Sequence, residues 1–212
     1  MFVDAGGRSV QAQSGVNPVT SANENPGYHN TGLGDLQAGF KCAILAAPEG
    51  YLTLQLRAYF PTGDAHLGLG TGHYSIEPSL LFTRKVTREV AVSGQFSVWH
   101  PIDGSDALPL SSTQSFAGDV LTFGAGVGRW FPLAENLRVS PVVELVGWSI
   151  RSGYVTLISG GASAAGDTIV NAKLGARILV ERHNSIYAGF GRQLSHVGWY
   201  RDFIRVEYTH VF

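Results

Sequence analysis

With 212 residues the chain is long enough to bury a sizeable core, yet only 15% of them are charged, against about 25% in ordinary soluble domains. Fifteen Lys and Arg against 16 Asp and Glu leave a formal charge of −1, so there is no basic field to hold nucleic acid. The lone cysteine, Cys42, excludes an internal disulfide framework and a Cys-based zinc centre, and 44% hydrophobic residues exclude a disordered chain.

No stretch approaches the roughly 18 consecutive apolar residues of a membrane-crossing helix. The first residues, with Asp4 and Arg8 among them, lack the apolar centre of a signal peptide. The prevailing pattern instead has a period of two. A first strand is expected over 3–13, although Val3 and Ala5 fall out of phase with Val10 and Ala12 across Gly6-Gly7. Residues 14–34, with Asn, Pro, Gly and Ser, follow as a loop. Over 36–45 Leu36, Ala38, Phe40, Cys42 and Ile44 oppose Gln37, Gly39, Lys41 and Ala43. Over 51–60 Leu52, Leu54, Leu56, Ala58 and Phe60 oppose Thr53, Gln55, Arg57 and Tyr59. The alternation continues over 75–83, 90–99, 121–128, 138–145, 170–181, 186–191 and 203–212. Turn-rich segments separate these strands and no helical period intervenes, so the chain reads as all-β.

Soluble sandwiches alternate as well, so other features decide. Strands of about 10 residues suit a tilted membrane strand better than the 5–6 typical of soluble sheets. Charges within strands gather on one face: Lys41, Arg57, Glu77, Glu144, Lys173, Arg177, Arg205 and Glu207. The opposite face is almost free of charge, as hydrocarbon demands when a mid-depth Arg or Lys costs about 2–4 kcal/mol. Arg129 and Arg192 break the parity, but towards strand ends. Short connections at 46–50, 84–89, 132–136 and 183–184 contrast with long ones at 61–73, 101–118 and 151–167. Short turns at one end and long loops at the other are an outer-membrane arrangement. Aromatic residues, Tyr51, Phe82, Trp99, Trp130, Trp148 and Trp199 among them, fall near strand ends, at levels that suit lipid headgroups. Because hydrocarbon offers no partner to a free strand edge, the expected fold is an antiparallel transmembrane β-barrel, with about 10 strands in this chain.

The last strand places Ile204, Val206, Tyr208, His210 and a terminal Phe212 on one face. It resembles the C-terminal β-signal read by the outer-membrane assembly machinery, which would assign that role to Tyr208 and Phe212. His210 stands where an apolar or aromatic residue is usual. Gly32-Leu33-Gly34-Asp35-Leu36-Gln37-Ala38-Gly39-Phe40-Lys41, Phe60-Pro61-Thr62-Gly63-Asp64 and Gly68-Leu69-Gly70-Thr71-Gly72 resemble the outer-membrane family called "putative meta-pathway of phenol degradation". The resemblance, carried beyond those strings by strand pattern, covers roughly residues 30–212. It implies a barrel of about 12 strands, with a signal peptide and further strands upstream of this chain. It also implies a role in passing small, often aromatic, molecules across the outer membrane. Residues 1–32 then form an N-terminal strand and loop segment, and 33–212 the barrel proper.

Few other groupings suggest chemistry. Gly124-Ala125-Gly126-Val127-Gly128 has no helix behind it to meet a phosphate, and reads as glycines leaving room for long neighbours on an inward face. Ser195, His196 and Asp202 have the composition of a hydrolase triad without a nucleophile-elbow spacing. His66, His73 and Asp64 share a loop as scattered polar residues rather than a ligand set. No cofactor or metal is expected. Lys41, Arg57, Lys173, Arg177 and Arg205 against Glu77, Glu144 and Glu207 would line a lumen with no strong preference for either ion sign. The expectation is therefore a non-enzymatic outer-membrane channel of a Gram-negative-type envelope, passing small solutes, hydrophobic or aromatic ones included. Its partners would be membrane lipids, the assembly machinery and those solutes. The alternatives are a non-conducting structural or adhesion barrel, an outer-membrane lipid hydrolase, and a soluble β-barrel binder.

Overall fold

Alternation with a period of two gives every segment one apolar and one polar face, and the backbone satisfies itself by pairing neighbours rather than by coiling. A computed structural model describes residues 2–11, 29–65, 69–102, 117–157, 160–163, 165–181, 183–196 and 202–210. In chain order the strands are β1 (Phe2–Gln11), β2 (His29–Ala47), β3 (Gly50–Phe60), β4 (Ser75–Lys85) and β5 (Val90–Pro101). Then come β6 (Val120–Arg129), β7 (Phe131–Ala134), β8 (Leu137–Ile150), β9 (Tyr154–Leu157) and β10 (Gly160–Ser163). The last are β11 (Thr168–Val180), β12 (Asn184–Gln193) and β13 (Asp202–His210). The described residues contain no helix, and so none long and apolar enough to cross a membrane.

Ten strands form one antiparallel sheet in the order β1-β2-β3-β4-β5-β6-β8-β11-β12-β13, with β7 folded back on β8. Every expected strand is present, including the weakly patterned first one. Its phase break has a structural cause: the β1–β2 register shifts between Ala5 and Gly7, a bulge that absorbs the extra residue. A second bulge between Ala43 and Leu45 on β2 leaves both Ile44 and Leu45 exposed. Three connections differ from expectation. β2 already begins at His29, inside the expected 14–34 loop. The 132–136 turn carries β7, whose Phe131 and Pro132 pair with Val139 and Arg138. The 151–167 loop holds the β9–β10 hairpin.

Exposure is inverted relative to a protein folded in water. Leu54, Leu174 and Val206 are 48, 64 and 72% exposed, whereas Gln55, Ser97, Thr122 and Asn171 are buried. The sheet curls with its polar face inward, far enough that Arg57 of β3 and Glu207 of β13 line one cavity. β1 and β13 stand at the two ends of the hydrogen-bonded order, and no ladder joins them among the described residues. The wall is thus a curled half-barrel rather than a ring sealed by these ten strands.

Close packing of neighbouring strands depends on glycine at particular points. The two-residue β2–β3 hairpin pairs Ala47 with Gly50, and a Cβ on Gly50 would strike the backbone oxygen of Thr83 on β4. Backbone cannot yield as a side-chain tip can. Gly50→Ala should destabilise the fold by about 1–3 kcal/mol, read as a lowered denaturant midpoint, while the exposed neighbour Glu49→Ala stays within about 0.5 kcal/mol.

Candidate functional site

The inward face builds a cavity of about 950 Å³, the size of a small-molecule site. Two polar clusters line it. In the first, Arg57 and Glu77 are cross-strand partners of β3 and β4. Ser97 donates its hydroxyl to one oxygen of Glu77 at 2.6 Å, and Tyr59 donates its phenol to the other. Arg57 donates to the side-chain oxygen of Gln37 at 3.1 Å, and its guanidinium lies over the Tyr59 ring. Trp99 receives Tyr59 edge-on, with ring centres 6.5 Å apart, and packs on the other side against the buried His73 at 5.2 Å. Alternate residues of adjacent strands are thereby tied into one layer of hydrogen bonds and rings.

In the second cluster, Lys173 of β11 faces Glu144 of β8 in register, with Nζ 2.9 Å from Oε2. Tyr187 of β12 reaches across β11 to donate to the same oxygen at 3.3 Å. Gly175 makes this reach possible, since a Cβ there would lie 2.7 Å from the Tyr187 hydroxyl. Gly126 does the same for Glu144, whose Cγ would lie 3.0 Å from a Cβ at that position. The alternating glycines of β6 are therefore space for inward side chains. Arg177 lies over the Tyr187 ring, and Glu207 is shared between Arg205 at 2.6 Å and Arg177 at 3.9 Å.

Arg57, Glu77, Glu144, Lys173, Arg177, Arg205 and Glu207 line this cavity. Lys41 is exposed beside them, within electrostatic reach of both Arg57 and Glu207. Trp99 and Trp148 line the cavity as well. Their height along the strand fits a belt, but their phase turns them inward. Tyr187 is a further participant that charge-based selection passes over, although its phase, shared with Ser185 and Gly189, points inward.

The remaining candidates are engaged elsewhere. Ser195 accepts a hydrogen bond from the Val170 amide at 3.0 Å, and Asp202 faces Arg192 at 3.8 Å. Tyr208 is exposed on the apolar face, and its hydroxyl donates to Asn184 at 2.8 Å. His210 meets the same Asn184 oxygen at 2.8 Å, which gives this residue a polar partner on β12. Phe212 and His66 lie outside the described residues. Among the described residues no group of three or more His, Cys, Asp or Glu could hold a metal ion.

At the long-loop end, the three strings quoted above come together. Asp35, just beyond the Leu36–Phe60 pair of β2 and β3, accepts from the Gly63 amide at 3.0 Å through Oδ1. Its Oδ2 accepts from the Thr71 amide at 2.8 Å and the Thr71 hydroxyl at 2.7 Å. Thr71 lines the cavity. A family model described as "Putative MetA-pathway of phenol degradation" matches residues 4–122, which run from β1 into β6 and include all three strings. No curated protein matches the chain.

Replacing Lys173 by Met should leave Glu144 with Tyr187 but without its cation. The expected loss is about 1–3 kcal/mol, below the range for fully buried pairs because Glu144 keeps some solvent access. A Lys173→Met/Glu144→Gln double variant should regain a large part of it in a denaturant titration, since no uncompensated charge remains.

Proposed function

The chain belongs to the family described as "Putative MetA-pathway of phenol degradation", and we propose that it is an outer-membrane β-barrel passing small solutes through a polar lumen. The inverted distribution of side chains carries this reading. Leu54, Leu174 and Val206 face outward, where acyl chains would cover them, while Arg57, Glu77, Glu144 and Lys173 face the axis. In water such an outer face would be a large apolar patch. In hydrocarbon it needs no further partner.

Passage would be passive and without covalent chemistry. The carboxylates and guanidiniums of the lumen replace hydrogen bonds that a solute gives up with water, and Tyr59, Trp99, Trp148 and Tyr187 offer ring faces to its apolar parts. Glu77 and Glu144 are tied to donors on neighbouring strands, which supports a lining held on the walls rather than across the axis. Tyr208 of β13, with Phe212 beyond it in the sequence, would serve the assembly machinery, and the outer apolar face would meet lipid.

Reconstitution tests the two parts separately. Liposomes carrying the protein should swell in solutions of small sugars and of aromatic acids, and planar bilayers should show single-channel steps. A folded, inserted protein that gives neither is not a channel. For membrane insertion, Leu174→Arg at the centre of β11 should cost about 2–4 kcal/mol of stability in lipid, because the guanidinium sits at mid-depth. An unchanged unfolding midpoint, or a wild-type protein that stays monomeric in buffer without detergent, would remove the membrane assignment.

A further inference from the structure

We propose that Asp35 sets the bore at the long-loop mouth of the lumen, by fastening the segment after β3 into the cavity wall; the inference rests on the channel reading above. Asp35 shares the inward phase of Gln37, Gly39 and Lys41, and it sits where the β2–β3 ladder has run out. A carboxylate there meets three donors from the segment that follows β3. Gly63 comes before the residues 66–68 that lie outside the described chain, and Thr71 after them. One side chain therefore holds both limbs of the connection.

The packing around this carboxylate leaves little freedom. A Cβ on Gly70 would lie 2.6 Å from Asp35 Oδ1, and one on Gly63 would lie 2.9 Å from the Gly70 Cα. The two limbs thus touch backbone to backbone beneath Asp35. Leu69, 5% exposed, is seated against Gly32, where a Cβ would approach its Cδ1 to 2.8 Å. One glycine of each string, Gly32, Gly63 and Gly70, is thus a site of close approach. Leu36 is drawn in too, its amide donating to the Thr62 hydroxyl at 2.8 Å.

What the fastening positions is part of the lumen. Thr71 forms cavity wall, and its hydroxyl is within 3.2 Å of the His73 carbonyl. His73 is buried against Trp99, itself a lining residue, and meets the Ser75 hydroxyl at 3.0 Å. Release of Thr71 would free this wall at the mouth while the strands stay paired below. Asp35 touches no solute in this scheme; it is a positioning residue.

Asp35→Asn keeps the size of the side chain but turns an amide hydrogen-bond donor, or a single weaker acceptor, towards the Thr71 amide and Gly63 amide. In reconstituted wild-type and Asp35→Asn protein, two readouts are compared: the largest solute admitted with its single-channel conductance, and protease cleavage within 61–74 of the folded barrel. Loss of hydrogen bonds to a charged group should speed cleavage on the order of tenfold through a larger open population. Conductance and the admitted solute size should rise together with it. A wild type that conducts, with a variant unchanged in both readouts, overturns this inference and leaves the channel reading intact. A wild type that does not conduct removes the channel reading, and the bore role falls with it. If Asp35→Asn does not fold, Thr71→Val, which keeps the carboxylate and deletes one donor, carries the same comparison with the same outcomes.

Discussion

A side chain that needs a hydrogen bond faces the axis of this sheet, and a side chain that needs none faces away; nearly every other feature depends on that division. It is a stricter rule than the usual hydrophobic-inside arrangement, because both environments penalise errors. On the proposed membrane reading, an outward Lys at the level of Leu174 would have no partner in hydrocarbon, and an inward Leu at Lys173 would leave Glu144 uncompensated. Alternation along the strand satisfies both demands at once, because the pleat turns successive residues to opposite faces. The rule also explains how a chain with so few charges gathers seven of them around one cavity.

Pairing inside the lumen then decides where bulk is allowed. Glu144 receives Lys173 from the adjacent strand and Tyr187 from one strand further. Such a reach requires an empty place on the strand between, and Gly175 supplies it. Large and vanishing side chains thus alternate on the inner surface, where Gly126, Gly175 and Gly189 give way to Glu144 and Tyr187. The same logic applies on the outer face, where Phe123 covers Gly147 across β6 and β8.

The division was legible before any coordinates. Phase alone places Arg57, Glu77, Glu144, Lys173, Arg177, Arg205 and Glu207 on the inward face, because periodicity is a property of the chain itself. The fault in phase at Gly6-Gly7 was visible too, and it is a bulge. Trp99 and Trp148 share the inward phase, and a ring near a strand end suits either a headgroup layer or a lumen mouth. β7 and the β9–β10 hairpin lie within segments whose turn residues hide short runs of extended backbone. The fastening at Asp35 was not readable at all. Its donors stand 28 and 36 residues away, and only the curl of β2 and β3 brings them to one carboxylate.

The two edges of the sheet carry the argument one step further. β1 and β13 each present a row of backbone groups that no described ladder occupies, and hydrocarbon tolerates no such row. In a membrane those rows must find partners, from each other or from other strands. The side chains near the edges are arranged for an enclosed space. Lys41 on β2 and Glu207 on β13 are within electrostatic reach across the gap, and Arg57 and Arg205 line the same cavity from opposite ends of the order. Charged side chains from early and late strands lining one cavity, Arg57 with Arg205 and Glu207, are what a wall curling towards closure requires. An open sheet with two independent faces would have no reason to place them so. On the proposed membrane reading, closure and the polar lumen are one demand: edges that must pair would draw the wall round, and the charges that cannot face lipid are collected on the side it encloses.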